Sequence, residues 1–195
     1  ASRGIPFRWT TSGGNALTAT QISSLHDNPA TTAADNDGEG SARLDWLRGS
    51  TTHEGTGNNY RVRPDSFKLG DIINSTPIFV GTPPNLPELE SSPHSTFRST
   101  YATRRQIVYV GANDGMLHGF DAATGQEKIA YVPSAVFPNL SKLTYTAYTH
   151  QYYVDGSPTV GDAYGTFSNG CSSTACWRTV LVGGLAAGGK GVFAL

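Results

Sequence analysis

Three stretches of this 195-residue chain carry residue types that do chemistry. In DNDGEGSARLDW, Asp35, Asp37 and Glu39 fall at the first, third and fifth positions of an EF-hand-like loop, with Gly40 at the sixth. Calcium needs hard oxygen ligands at that spacing and a bidentate carboxylate at the twelfth position, where Trp46 stands instead and Asp45 comes one place early. Two readings remain: calcium held by Asp35, Asp37 and Glu39, or an acidic solvated loop before a helix. The residues favour the loop. In NGCSSTACW, Cys171 and Cys176 lack CxxC spacing and are too few for a zinc site. A disulfide that clasps a local hairpin is favoured over two free buried thiols, and it implies an oxidising compartment.

The third stretch, YVGANDGMLHGFDAATGQEKIAYVPS, holds two turn signals between apolar runs. Asn113, Asp114 and Gly115 offer the positive φ angles of a tight hairpin, an explanation preferred over an ion site. Asp121, Thr124 and Gly125 belong to the next turn, where Asp121 is expected to bond its own backbone and Gly125 to take a left-handed position. His118 has no second His or Cys nearby and reads as a structural histidine. The loop GGLAAGGKG lacks the strand-to-helix context and the Ser/Thr after Lys190 that a phosphate loop requires, so its glycines read as close backbone packing. No ordered Ser/His/Asp set and no HExxH motif is present.

The elements that must position these residues follow from composition and periodicity. With 23 glycines and 11 prolines, short strands joined by turns are expected over long helices, and the fold class is all-β with one or two short helices near the N-terminus. A net charge of -1 gives no basic footprint for nucleic acid, and no apolar run is long enough for a transmembrane segment. Residues 1–70 read as a polar segment with two short helices. In the first, about Ala19 to Leu25, Thr18 and Gln21 form a capping box, Leu17 packs on Ile22, and Asn28 and Pro29 stop it. The second lies in SARLDWLRG, with Ser41 as N-cap and Gly49 beyond its end. From Asp71 to Leu195 the pattern is a meander of strand-like runs, among them IINSTPIFVG, HQYYVDGSPTVGDAY and WRTVLVGGL. Insertions interrupt it at about 81–104, read as a Pro-rich mobile surface loop, and at about 133–150, read as aromatic and packed partly on the sheet. The last residues, GVFAL, read as a strand stopping in mid-run, so a piece of a longer protein is expected.

GFDAATGQEK resembles the blade repeat of quinoprotein-type β-propellers, with the Asp and Thr-Gly in place but no following Trp. A fuller resemblance runs through LRGS, YRVRP, LGDIINSTPIFVG, VYVGANDGMLHGFDAATGQE, AYVPS, YYVDGSP and WRTVLVGGLAAGGKGVFAL, which look like the opening of the propeller in PilY/PilC-type proteins. That resemblance implies a partial β-propeller, here the first two or three blades of a seven-bladed parent. It implies a non-enzymatic type IV pilus factor that acts in pilus assembly, retraction control and adhesion. Its partners would be minor pilins and the pilus tip complex, and a host or abiotic surface. Its location would run from periplasm to cell surface, at the pilus tip or outer membrane. The family carries a calcium loop, which the resemblance does not place on Asp35, Asp37 and Glu39. The alternative reading is a fragment of a quinone-dependent periplasmic oxidoreductase. Such enzymes stack their cofactor on adjacent cysteines, whereas Cys171 and Cys176 are separated by four residues.

Overall fold

The structure is a computed structural model that describes residues 4–31, 33–55, 60–64, 67–86, 93–167 and 171–195. Two helices open the chain, α1 (Ala19–His26) and α2 (Asp37–Leu47). The α1 cap is the expected one: the Thr18 side chain accepts from the Gln21 N–H, and the Gln21 side chain accepts from the Thr18 N–H. Helix α2 begins a full turn before Ser41. Asn36 is its N-cap and Glu39 closes a second capping box, because Asn36 followed three residues later by Glu is itself a start signal. Gly49, at φ +107°, ends α2 as expected.

The remaining elements are β1 (Ile78–Val80), α3 (His94–Thr100), β2 (Ile107–Gly111), β3 (Leu117–Asp121), β4 (Glu127–Tyr131), α4 (Phe137–Leu143), β5 (Thr159–Phe167), β6 (Cys171–Gly184) and β7 (Val192–Ala194). Strands β1 to β4 form one antiparallel sheet in chain order, and β5 to β7 form a second. A four-stranded antiparallel meander is the size of one propeller blade. Among the described residues the two sheets do not close into a barrel, as expected of a partial propeller.

Two strand expectations are shortened. In IINSTPIFVG only Ile78–Val80 is strand, and in HQYYVDGSPTVGDAY the strand starts at Thr159. Side chains replace the ladder between them. Asp155 accepts from the Asn74 N–H at 3.2 Å and from its side-chain amide at 2.8 Å, Ser75 donates to the Gly156 carbonyl, and Ser157 accepts from the Thr76 N–H. Asn, Ser and Asp compete in this way for backbone groups that a strand would otherwise pair.

Both insertions also carry structure. Within 81–104, the residues 87–92 lie outside the described ones. Beyond them α3 forms, fixed by His94, whose Nε2 lies 2.9 Å from Asp162 Oδ2 with both side chains 1% exposed. That buried pair has no periodicity to announce it, so the reading of the whole stretch as mobile loop is corrected. Within 133–150, a 3-10 turn (Ser134–Val136) leads into α4, and Val136, Phe137, Leu140 and Leu143 are buried in the main core. Leu17, Leu25, Leu44 and Trp46 from the N-terminal segment join Met116, Leu117, Tyr153, Val154 and Leu181 in that core. Helix α1 packs on both α4 and α2.

Candidate functional site

The hairpin between β2 and β3 is the junction of the molecule. Gly115 has φ +95°, and a Cβ there would lie 2.6 Å from Leu140 Cδ2, so both the turn and the core beneath it require glycine. Among the described residues only Gly115 of the three turn residues takes a positive φ; Asn113 and Asp114 act through their side chains instead. Asn113 donates to Asp71 Oδ2 at 2.9 Å and accepts from the Tyr153 N–H at 3.0 Å. Asp114 accepts from the Gly70 N–H at 2.7 Å and from the Met116 N–H at 3.1 Å. One turn thus ties together three segments distant in sequence.

Asp114 also faces His118, whose Nε2 lies 3.0 Å from Oδ2, while Nδ1 lies 2.6 Å from Glu127 Oε1 on β4. With both ring nitrogens directed at carboxylates, the protonated His118 ring can donate from both. Burial opposes that charge, yet the bond and charge of Asp114, followed by those of Glu127, outweigh it and raise the His118 pKa. Phe120 stacks on the ring, and the group lines a cavity of ≈ 540 Å³ with Phe7, Arg48 and Lys68. The carboxylate partners of His118 were not legible in sequence, although the i, i+4 spacing of Asp114 and His118 across a turn was a usable signal.

The second turn is held by its own side chains. Asp121 Oδ1 accepts from the Ala123 and Thr124 N–H groups at 3.0 Å each, Thr124 Oγ1 accepts from the Gln126 N–H, and Gly125 has φ +71°. In GGLAAGGKG a Cβ on Gly188 would lie 1.8 Å from the Tyr153 carbonyl oxygen, so backbone proximity is the reason for glycine there.

The acidic trio is dispersed. Asp35 pairs with Arg43 at 2.5 Å and accepts from the Asn28 amide at 2.8 Å; Asp37 lies 3.0 Å from His26 without hydrogen-bond alignment; Glu39 caps the Asn36 N–H. Burial works against the Asp35 charge, but hydrogen bonds from Arg43 and Asn28 overcome it and hold its pKa below the usual range. Asp37 and Glu39 lie in the first turn of α2, because helix start signals claimed the residues that a calcium loop would use. Among the described residues, no group of three or more His, Cys, Asp or Glu is gathered to hold a metal ion.

Cys171 and Cys176 form a disulfide, with Cα atoms 6.0 Å apart. Both lie on β6: Cys171 pairs with Phe167 and Cys176 with Gly165 on β5. Five residues of extended strand would span about 17 Å, so the bridge closes a bulge within β6 instead of clasping two hairpin arms.

These turns lie inside a segment that a family model matches. The family model described as the PilY1 beta-propeller domain matches residues 69–195. The chain belongs to the PilY1 β-propeller family. It is 48% identical over 167 residues to the type IV pilus biogenesis factor PilY1 of Pseudomonas aeruginosa strain PAK, covering 82% of this chain and 13% of that protein. It is 40% identical over 200 residues to PilY1 of strain UCBPP-PA14, covering 97% of this chain and 16% of that protein. The crystal structure of the Pseudomonas aeruginosa PilY1 C-terminal domain is 46% identical, with 60% of this chain and 21% of that chain covered and a TM-score of 0.42. The chain therefore spans less than a fifth of the length of these two PilY1 proteins. No helix among the described residues is long and apolar enough to cross a membrane.

Proposed function

We propose that this chain supplies the opening blades of a β-propeller in a type IV pilus biogenesis factor, and that it works as a non-enzymatic scaffold in pilus assembly, retraction control and surface contact. The observation that carries the reading is the family match over 69–195, with 48% identity to a protein named for pilus biogenesis. The local chemistry agrees with a scaffold. Asn113 and Asp114 spend their polar atoms joining distant segments, His118 spends its own on the carboxylates of Asp114 and Glu127, and Asp121 spends its own on a turn. In this reading the parent works between periplasm and cell surface with minor pilins and the tip complex as partners, and a host or abiotic surface as its target. No calcium is assigned to Asp35, Asp37 or Glu39. Calcium elsewhere in the parent is compatible with the scaffold role.

Complementation tests it. Cells lacking the gene are expected to lose surface pili and to regain them with the wild-type full-length protein. They are also expected to regain them with a His118→Gln variant, because His118 is given no catalytic task. Full piliation without the gene would reject the pilus role. A dye-linked oxidation assay of the full-length protein supplied with quinone and calcium addresses the oxidoreductase alternative, for which turnover is the decisive result.

A further inference from the structure

Arg61 occupies a setting that the scaffold role does not use. Its guanidinium carbon lies 4.4 Å from the centre of the Tyr148 ring and 5.2 Å from that of Trp46. Its Nε donates to the Leu143 carbonyl, so one edge of the planar group is fixed. Among the described residues its two terminal nitrogens have neither a hydrogen-bond acceptor nor a carboxylate. A guanidinium stacked on aromatic faces and anchored through Nε is held ready for a bidentate partner.

Arg61, Trp46 and Tyr148 line a cavity of ≈ 310 Å³ together with Lys68, Phe67 and Leu69. The other charged wall residues already have partners. Arg63 pairs with Glu54 at 2.6 Å, Asp114 faces His118, and Asp71 accepts from Asn113 and lies 2.8 Å from His150. Arg61 and Lys68 are the wall cations with no ion pair among the described residues. Glu54 is held by Arg63, so the guanidinium fork of Arg61 and the ammonium of Lys68 are left to receive an anionic acceptor. The half-exposed carboxylate of Asp71 on the same wall disfavours a dianionic phosphate and leaves a single negative charge as the better match. The rim is apolar: Phe67 is 69% and Leu69 43% exposed. The volume is at the small end for ligand cavities, suited to one side chain or one terminal residue.

We propose that this cavity binds a carboxylate carried by a protein segment, with Arg61 and Lys68 receiving the carboxylate and Phe67 and Leu69 packing against the apolar atoms beside it. The site rests on the chemistry of its own walls and holds whether or not the parent acts at a pilus. A chain-terminal carboxylate and an acidic side chain share this chemistry.

The test uses the full-length protein and ligand-observed fluorine NMR. The probe is N-acetyl-4-fluorophenylalanine, which carries a terminal carboxylate and a ring for the rim; its carboxamide is the neutral control. Saturable binding of the acid but not of the amide is expected. Lys68→Gln should weaken it about fivefold, and Lys68→Glu should abolish it. Arg61→Lys keeps the charge and loses the planar fork, and should weaken binding more than Lys68→Gln does. Among the described residues Lys68 makes no hydrogen bond and no ion pair, so its variants test the site even if Arg61→Lys fails to fold. Competition by N-acetylglutamic acid α-amide as strong as by N-acetylphenylalanine would identify a side-chain source, and weaker competition a terminal one; either supports the proposal. Equal binding of acid and amide, binding unaffected by Lys68→Glu, or stronger competition by phosphate than by acetate would overturn it.

Discussion

Two acidic clusters in this molecule end up with opposite geometries. Asp35, Asp37 and Glu39 alternate within five residues, yet they face three different partners: Arg43, His26 and the Asn36 backbone. Asp114 and Glu127 stand on different sides of a hairpin, yet they converge on the two nitrogens of His118. Spacing along a chain brings side chains together only when the backbone between them is a loop that curls around a common point. In the first cluster α2 begins at Asp37 and sends successive side chains to different directions. In the second, a tight turn and strand pairing fold the chain back on itself.

The first cluster breaks most severely at its one buried pair. Arg43 and Asp35 side chains are 3% and 9% exposed, so Arg43→Met leaves a carboxylate buried without its counter-charge. A loss of about 3–5 kcal/mol is expected from chemical denaturation of the full-length protein. A loss below about 1 kcal/mol would mean that the pair is solvated and the dispersal of the cluster is not structural.

The hairpin is tested next by Gly115→Val, which forces a β-branched residue to φ +95° and drives its Cβ toward Leu140. About 2–4 kcal/mol should be lost. An unchanged melting temperature would contradict the turn geometry. Removing the Cys171–Cys176 bridge by paired serine substitution should cost about 2 kcal/mol, because the loop it closes is short. No difference between oxidised and reduced wild-type protein would show that the β6 bulge holds without it.

The convergence on His118 gives a pH signature. Its folded pKa is raised above the ordinary value, so its stabilising contribution is complete below about pH 6.5 and is lost as pH rises through the folded pKa. His118→Gln should remove that part of the pH dependence of unfolding. A wild-type curve with the same slope as the variant would show that Asp114 and Glu127 do not hold the imidazolium. The smallest effect is expected at Asp37, whose side chain is 69% exposed: Asp37→Asn should change stability by less than about 0.5 kcal/mol, with or without added calcium. A calcium-dependent rise in melting temperature that Asp37→Asn removes would restore the calcium reading.

What the sequence made legible was local. The Thr18/Gln21 box, the Gly49 stop, the Asp121 turn and the positive φ of Gly115 each depend on residues within a few positions. The α2 start was misplaced because two capping signals overlap there, and Asn36 with Glu39 wins over Ser41. The parts that stayed hidden depend on contacts across many residues. His94 with Asp162, Arg43 with Thr144, and the Asn74 and Asp155 bonds pair positions with no common period. Helix α4 was hidden for a related reason: Pro138 sits in its first turn, where proline is tolerated, but a proline in an aromatic stretch reads as a breaker. Of the site, the turn residues were readable as turns. Their side-chain roles in joining segments, and the aromatic setting of Arg61, were not.

The central claim is that these blades serve a pilus factor as scaffold, and the most direct measurement is the partition of tagged full-length protein when surface pili are sheared from cells. A strain without pili serves as control. The account predicts enrichment in the sheared-pilus fraction that disappears in the control. Protein found equally in the periplasm of both strains and absent from sheared pili would contradict it.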